Sequence, residues 1–225
     1  MKKKPVAFLF LMFCSSLALP ALTLVYQEST DSEPVEHTFR IEQTAGGYSI
    51  RLTSLSAISS PVVQMLETDN GFSVLSWRYR DLAAGTDIIS VRDESRILLS
   101  GLYRGREVRR SFKVDSKPWY QLFPHGLEGL VMSAQTDLYF YAVGYEGIGA
   151  MRLATFHARR SGVETILWRG EPVAATRVVV TLRGLASVLW SGEYWYRNID
   201  GRNLASRSDR GPGTGPVDIR LISER

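Results

Sequence analysis

Residues 62–80 read VVQMLETDNGFSVLSWRYR, and this stretch decides the fold class. Two runs rich in apolar, β-branched and aromatic residues flank Asp69-Asn70-Gly71, a sequence typical of the turn of a β-hairpin. In the second run Leu75, Trp77 and Tyr79 alternate with polar residues. This alternation predicts a strand with one buried face and one solvent-exposed face.

The same pattern extends along most of the chain, with Gly46-Gly47 as the first predicted turn. Strands in hairpin order, without long helical crossovers, predict an antiparallel meander that curls or closes to remove exposed edges. The predicted fold class is therefore all-β with a minor helical insert, a curved meander forming a half-open or closed β-barrel. The predicted strands cover residues 38–43, 48–54, 62–67, 72–80, 86–92, 96–103, 107–114, 137–143, 151–158, 163–168, 173–182, 193–197, 203–206 and 217–222.

Residues 119–132 interrupt the strand pattern with partly helical spacing of apolar residues. Pro124, Gly126 and Gly129 limit any helix to short pieces. We expect this segment to pack across one opening or face of the sheet. The apolar residues 185–189 fit neither pattern clearly.

The N-terminus has the order of a secretory signal peptide: three lysines at 2–4, an apolar run at 6–13, and small residues from 14 onward. The apolar run is shorter than the ~20 residues that cross a bilayer. The sequence predicts a signal peptide at 1–21, cleaved after Ala18 or Ala21, a flexible leader at 22–37 and one domain at 38–225. An uncleaved anchor is the alternative, because apolar residues continue beyond Ala21.

Cysteine and charge usage narrow the classes of function. The only cysteine, Cys14, lies in the predicted signal peptide, so the mature chain has no thiol for a disulfide, a nucleophile or a metal site. The net charge falls from +4 to +1 once the three signal lysines are removed. Nucleic acid is therefore not an expected partner. An exported chain that has no disulfide bonds suits a bacterial envelope, so we expect a periplasmic protein.

Motifs for catalysis and for cofactors are absent from the sequence. His37, His125 and His157 lie far apart and in no metal-ligand spacing, and no nucleophile elbow or phosphate-binding loop occurs. His125, close to Glu128, is the one candidate for proton transfer if it lines a cavity, and a surface turn is the alternative. We expect a non-catalytic protein without a metal or cofactor.

Aromatic residues are the most informative feature of the mature chain, which contains all five tryptophans. On a concave sheet, indole rings stack on sugars or line a slot for acyl chains, whereas packing in the core is the alternative. Consecutive aromatics at 194–196 must point to alternate faces of a strand. The candidate ligand-binding residues are Trp77, Trp119, Tyr120, His125, Trp190 and Trp195.

The second half of the chain resembles a known set of proteins. The segments 118–121 (PWYQ), 162–166 (GVETI) and 190–197 (WSGEYWYR), with glycine turns at 200–201 and 211–214, resemble uncharacterised exported bacterial proteins of the domain-of-unknown-function 3108 type. The resemblance covers residues 114–222. It implies a curved antiparallel sheet or half-barrel and implies no catalytic residue.

Three functions follow as hypotheses. The first is a periplasmic binding or carrier protein for a hydrophobic or amphipathic, lipid-like molecule, with residues 119–132 as a partial lid. The second is a structural or interaction protein that docks on another envelope protein or on a polysaccharide. The third is a hydrolase that acts through His125.

The signal peptide gives the first testable prediction. When the full chain is expressed in a Gram-negative host, the exported protein should begin at residue 19 or 22, because signal peptidase requires small residues one and three positions before the cut. Intact-mass spectrometry of the envelope fraction measures this directly. A mass that retains residues 1–18 would instead establish the uncleaved anchor.

Overall fold

The computed structural model of the protein describes residues 20–29, 33–146, 150–184, 190–209 and 215–225. Residues 1–19 of the predicted signal peptide, the apolar residues 185–189 and the glycine turn at 211–214 lie outside this part of the chain. Within it, no helix is both long enough and apolar enough to span a membrane.

The described residues form one antiparallel sheet of fourteen strands and two short helices. The all-β fold class, with a small helical insert, is therefore confirmed. The elements are β1 (Leu22–Ser29), β2 (Val35–Thr44), β3 (Gly47–Leu55), β4 (Val62–Asp69), β5 (Val74–Asp81), β6 (Thr86–Asp93), β7 (Arg96–Tyr103), β8 (Arg106–Lys113), α1 (Phe123–Gly126), α2 (Glu128–Met132), β9 (Asp137–Glu146), β10 (Ala150–Trp168), β11 (Glu171–Leu182), β12 (Ser191–Arg197), β13 (Asn203–Asp209) and β14 (Pro216–Glu224).

The first and last strands meet in the middle of the sheet. Its order is β8-β7-β6-β5-β4-β3-β2-β1-β14-β13-β12-β11-β10-β9, so every neighbour except the β1–β14 pair is also consecutive in sequence. Thr23 of β1 and Arg225, which follows β14, exchange backbone hydrogen bonds of 2.7 and 3.0 Å. The edges of the sheet are therefore β8 and β9, which come next to each other along the chain.

Residues 114–136, which we call the inner segment, connect these two edges and contain both helices. Trp119 accepts a hydrogen bond from the backbone of Val74 on β5, and Tyr120 donates one to Tyr141 on β9. The Tyr196 hydroxyl of β12 donates to the carbonyl of Phe123. Since strands of both halves contact one segment, the sheet must curl around it, and the inner segment fills the interior instead of forming a partial lid.

The two sheet edges are protected in different ways. The outer strand β8 carries Arg106, Arg109, Arg110 and Lys113, charges that oppose pairing with another strand. Beside the other edge strand, residues 118–121 run along β9, with Tyr141 donating to the Pro118 carbonyl at 2.9 Å. Neither edge is an open template for a further strand.

The predicted flexible leader at 22–37 is wrong. Residues 22–29 form β1, which pairs with both β2 and β14, and β2 already begins at Val35. Leu24 and Tyr26 of β1 are almost completely buried. The apolar residues that follow the predicted signal peptide are therefore a central strand of the sheet.

Two β-bulges make the observed strands differ from the predicted ones. The predicted strands 151–158 and 163–168 are one strand, β10, interrupted by a bulge between Arg160 and Gly162. A second register shift, opposite Glu67 and Thr68, leaves Leu75 as the extra residue of β5. Leu75 is therefore exposed, while Val74 and Trp77 are buried. A bulge reverses the inward–outward alternation, which the sequence pattern does not reveal.

The inner segment generates a prediction on stability. Trp119 is completely buried at its start, so Trp119→Ala should lower the free energy of unfolding by about 3–5 kcal/mol through the cavity it leaves. Trp195→Ala is the matched control, because this partly exposed indole donates to the exposed carboxylate of Glu164 and should cost about 1 kcal/mol or less. Urea unfolding measures both. Equal losses would contradict the role of the inner segment as the core of the barrel.

Candidate functional site

Four of the six predicted ligand-binding residues, three aromatic residues and His125, are buried inside the protein. Trp77 is 1% exposed and donates to the side-chain oxygen of Gln64 at 3.0 Å. Trp119 donates to Gln121, and Tyr120 packs with its ring centroid 5.4 Å from that of Phe140. These aromatic groups form the two halves of the core.

The other two tryptophans of the predicted set lie on β12 or just before it, and their side chains contact different parts of the protein. Trp190 packs against Phe123 and Phe156 and donates to the Asp209 carbonyl at 2.6 Å. Trp195 lines an open cavity of about 590 Å³ between the end of β10 and strands β12–β14. Trp77, Trp119, Trp190 and Trp195 therefore do not converge on one cavity, and their contact with a ligand stays a prediction.

His125 lies in the interior, so its interpretation as a surface turn residue is wrong. It is 1% exposed, and its Nδ1 lies 3.1 Å from Glu128 Oε1, which also accepts a hydrogen bond from Arg202. The ring of Phe39 packs edge-on against it, with centroids 4.8 Å apart. Phe39 lines a cavity and His125 does not. Through Glu128, this histidine instead helps to fix the inner segment to Arg202, the residue before β13.

A cavity of about 270 Å³, which is open to solvent and which we call the interior cavity, lies between the inner segment and the central strands β1–β4 and β12–β14. Phe39, Leu52, Leu122 and Ile219 give it a largely apolar wall. Its lining residues are Tyr26, His37, Phe39, Leu52, Ser54, Gln64, Gln121, Leu122, Phe123, Pro124, Tyr194, Asn203, Ser206 and Ile219.

One wall of the interior cavity carries a connected polar group formed by Ser54, His37 and Glu28. His37 Nδ1 lies 2.8 Å from Ser54 Oγ, and His37 Nε2 lies 3.0 Å from Glu28 Oε2. Ser54 is directly opposite His37 in the β2–β3 pair, and Glu28 is two residues beyond Tyr26, the partner of His37 on β1. Cross-strand neighbours on one face of a sheet are in contact range, so pairing alone assembles the group.

The proton positions in this group follow from the charge of Glu28. With Glu28 ionised, its carboxylate only accepts, so His37 Nε2 carries the proton and donates to it. Nδ1 of the neutral ring then accepts the hydroxyl proton of Ser54. Desolvation by burial lowers the pKa of His37 below its ordinary value of 6.5, which keeps the ring neutral at neutral pH.

The interior cavity is uncharged at neutral pH. Burial raises the pKa of Tyr26 and of Tyr194 far above the ordinary value for tyrosine, so both phenols stay protonated. The described residues that line the cavity include no Lys, Arg, Asp or Glu. The cavity therefore offers hydrogen bonds without a counter-ion. Among the described residues, no group of three metal-ligating side chains occurs either.

His37 and Ser54 were missed as site residues, although one signal for them exists. They occupy the two arms of the first predicted hairpin, and a turn at residues 45 and 46 sets them opposite each other. The predicted turn at Gly46-Gly47 is off by one residue, which moves the pairing partner of His37 by two positions. Gly47 instead begins β3, where a Cβ atom would lie 1.9 Å from the Thr68 carbonyl oxygen. Glycine is needed there for the close approach of β4.

Comparisons with known proteins identify the fold. No protein-family model matches the sequence, and no curated protein matches it significantly. The structure is similar to that of a β-barrel-like protein of domain of unknown function 1849 from Brucella abortus, with a TM-score of 0.57 and 9% identity over 92% of this chain and 98% of that chain. At this identity the likeness concerns the fold alone.

A second solved structure, the hypothetical lipoprotein YmcC from Escherichia coli K12, matches with a TM-score of 0.43 and 14% identity, over 91% of this chain and 85% of that chain. The chain thus has a β-barrel-like fold that also occurs in a domain of unknown function. The more specific resemblance to the 3108 type stays a prediction, because no family model matches.

Burial of neutral His37 predicts a pH-dependent stability. Between the ordinary pKa of 6.5 and the lower pKa in the folded state, the unfolded chain binds more protons, so the free energy of unfolding should decrease as the pH falls through this window. In His37→Gln the decrease between pH 7 and pH 5 should be smaller, whatever the absolute stability of the variant.

Urea unfolding at a series of pH values measures this difference. Asp87 and Asp200, whose pKa values are lowered from 3.8 by hydrogen bonds from Arg78 and Arg197, contribute only at more acidic pH, so the difference between wild type and variant above pH 5 reports His37. An identical slope in wild type and variant would contradict the assignment.

Proposed function

We propose that the protein is exported to the bacterial envelope and binds a small, uncharged amphipathic molecule in the interior cavity. The observation that supports this most directly is the mainly apolar wall combined with the polar group of Ser54 and His37 on one side. Binding sites for small molecules combine apolar surface with a few placed polar groups in this way.

The size of the interior cavity limits the ligand. A cavity of about 150 Å³ already holds benzene, so 270 Å³ suits a molecule of roughly twice that size. A short acyl or alkyl chain with a polar end fits this volume. A whole membrane lipid does not, because the inner segment occupies most of the space inside the sheet.

The neutrality of the interior cavity limits the polar end of the ligand. A buried carboxylate or phosphate without a cationic partner loses its hydration and gains no ion pair in return. An alcohol, ester or amide keeps its hydrogen bonds through the hydroxyl and imidazole groups of the wall. We therefore expect a neutral head group.

The interaction-protein hypothesis has less support. Docking by strand addition requires an open edge, whereas β8 is cationic and β9 is flanked by residues 118–121. The larger cavity beside Trp195 is lined by Arg169, Arg207, Asp218 and Arg220, so a charged or sugar ligand suits it better than an acyl chain does. This cavity provides the competing location in the test below.

Isothermal titration of delipidated protein with 1-octanol and with octanoate at pH 7.5 tests the proposal. We expect one saturable site for the alcohol, with the negative heat-capacity change of apolar burial, and at least about 10-fold weaker binding of the carboxylate. Saturable binding of octanoate with no binding of octanol would contradict a neutral cavity.

A matched pair of variants, one in each cavity, locates the binding site. Leu122→Phe narrows the interior cavity and should abolish octanol binding, whereas Ile222→Phe alters the cavity beside Trp195 and should leave binding unchanged. The reverse result would assign the ligand to the second cavity and overturn the proposal. Thermal unfolding of both variants verifies that they are folded.

A further inference from the structure

We propose that Ser54, His37 and Glu28 form a nucleophile, base and carboxylate triad that hydrolyses short acyl esters in the interior cavity. This inference rests on the proposed function, because it requires that a neutral acyl ligand enters the cavity. It replaces His125, the residue first considered for a hydrolase, by a histidine that faces the cavity.

The order of the three groups is that of an activated serine. A serine becomes a nucleophile when a base within hydrogen-bond reach accepts its proton and a third group orients that base. Ser54, His37 and Glu28 are linked in this order at 2.8 and 3.0 Å. The assignment depends on this geometry and not on chain order, since the triad recurs on unrelated folds.

The cavity separates the reacting groups from the orienting group. Ser54 and His37 both line the interior cavity, whereas Glu28 does not line it and is 5% exposed. A substrate can therefore contact the nucleophile and the base but not the carboxylate. The lowered pKa of His37 supports the same roles, because only a neutral imidazole accepts the serine proton.

Gln64 is the lining residue best placed to stabilise the oxyanion. Val62 on β4 pairs with Ser54, and Gln64 lies two residues further along β4. Gln64 also lines the same cavity. Its side-chain oxygen accepts the indole proton of Trp77 at 3.0 Å, which fixes the amide orientation and leaves the NH₂ group to donate. A donor aimed at the developing charge is the remaining component that acyl transfer needs.

The reaction balances with water as the only co-reactant. Ser54 Oγ attacks the ester carbonyl carbon while His37 Nδ1 takes the hydroxyl proton, and the proton passes to the departing alkoxide as the carbon–oxygen bond breaks. An acyl group is left on Ser54. Water then adds to the acyl carbon and gives a proton to His37, and Ser54 Oγ leaves with that proton to release a carboxylic acid.

The product chemistry agrees with the environment of the site. The carboxylic acid ionises at neutral pH, and the cavity provides no cation to hold it. The neutral ester is thus bound better than the anionic product, which favours release. The volume restricts the acyl group to short chains.

Covalent labelling of the full mature protein with an alkyl fluorophosphonate tests the triad, followed by intact-mass measurement and peptide mapping. We expect one adduct, located on Ser54, and hydrolysis of p-nitrophenyl butyrate. Ser54→Ala should abolish both, and His37→Gln should slow both by at least about 100-fold.

Glu28 is a positioning residue, so its test is a pH profile. In Glu28→Gln the carboxylate that favours the imidazolium is lost, and the lower limb of the pH–rate profile should move to lower pH. A purely structural role would lower the rate, if at all, without moving this limb.

Two surface variants serve as matched controls. Ser49→Ala removes a serine of β3 that donates to an exposed carboxylate, Glu67, and His157→Gln removes a partly exposed histidine near Asp137. Both should keep labelling and hydrolysis, so loss of either activity in a control would overturn the assignment.

The outcomes separate the two proposals. Octanol binding without an adduct on Ser54 overturns the triad and leaves the binding function intact. An adduct on another residue also overturns the triad. Absence of both octanol binding and labelling overturns both. Because the mapping uses wild-type protein, none of these results depends on whether a variant folds.

Discussion

The pairing of β1 with β14 is the constraint on which the rest of the structure depends. It places the first and last strands in the centre of one sheet, so β8 and β9, which are consecutive strands along the chain, become opposite edges. Only residues 114–136 connect those edges, and the curled sheet brings them through the interior. The packed inner segment, the protected edges and the small interior cavity all follow from this single pairing.

Much of the fold could be predicted because the hairpins are local. Thirteen of the fourteen strands were anticipated as strand segments, since turn residues and two-residue alternation are visible in a single sequence. β1 was missed because its apolar residues continue those of the predicted signal peptide, and because its partner β14 is the last strand along the chain. Bulges at Leu75 and near Gly162 depend on sheet curvature and give no comparable signal.

The candidate site was less predictable for a related reason. The sequence drew attention to aromatic residues, but Trp77 and Trp119 are large because they fill the interior of a curled sheet. The polar group depends on strand register, and a one-residue error in the turn separates His37 from Ser54. Its third member, Glu28, belongs to the strand that was predicted to be a flexible leader. Chemistry that arises from register is recognisable only once each strand has its correct partner.

The central position of β1 also affects how the chain folds as its strands become available in order from the N-terminus. β1 to β8 can pair in order as they appear, yet one side of β1 has no partner until residues 216–224 arrive. Contacts between residues so distant in sequence are slow to form because of the entropy of loop closure. In a chain that stops before β14, β1 would therefore be an unpaired edge strand in place of a central one. The cavity wall that carries Glu28 and His37 would then lack the strand that pairs with β1.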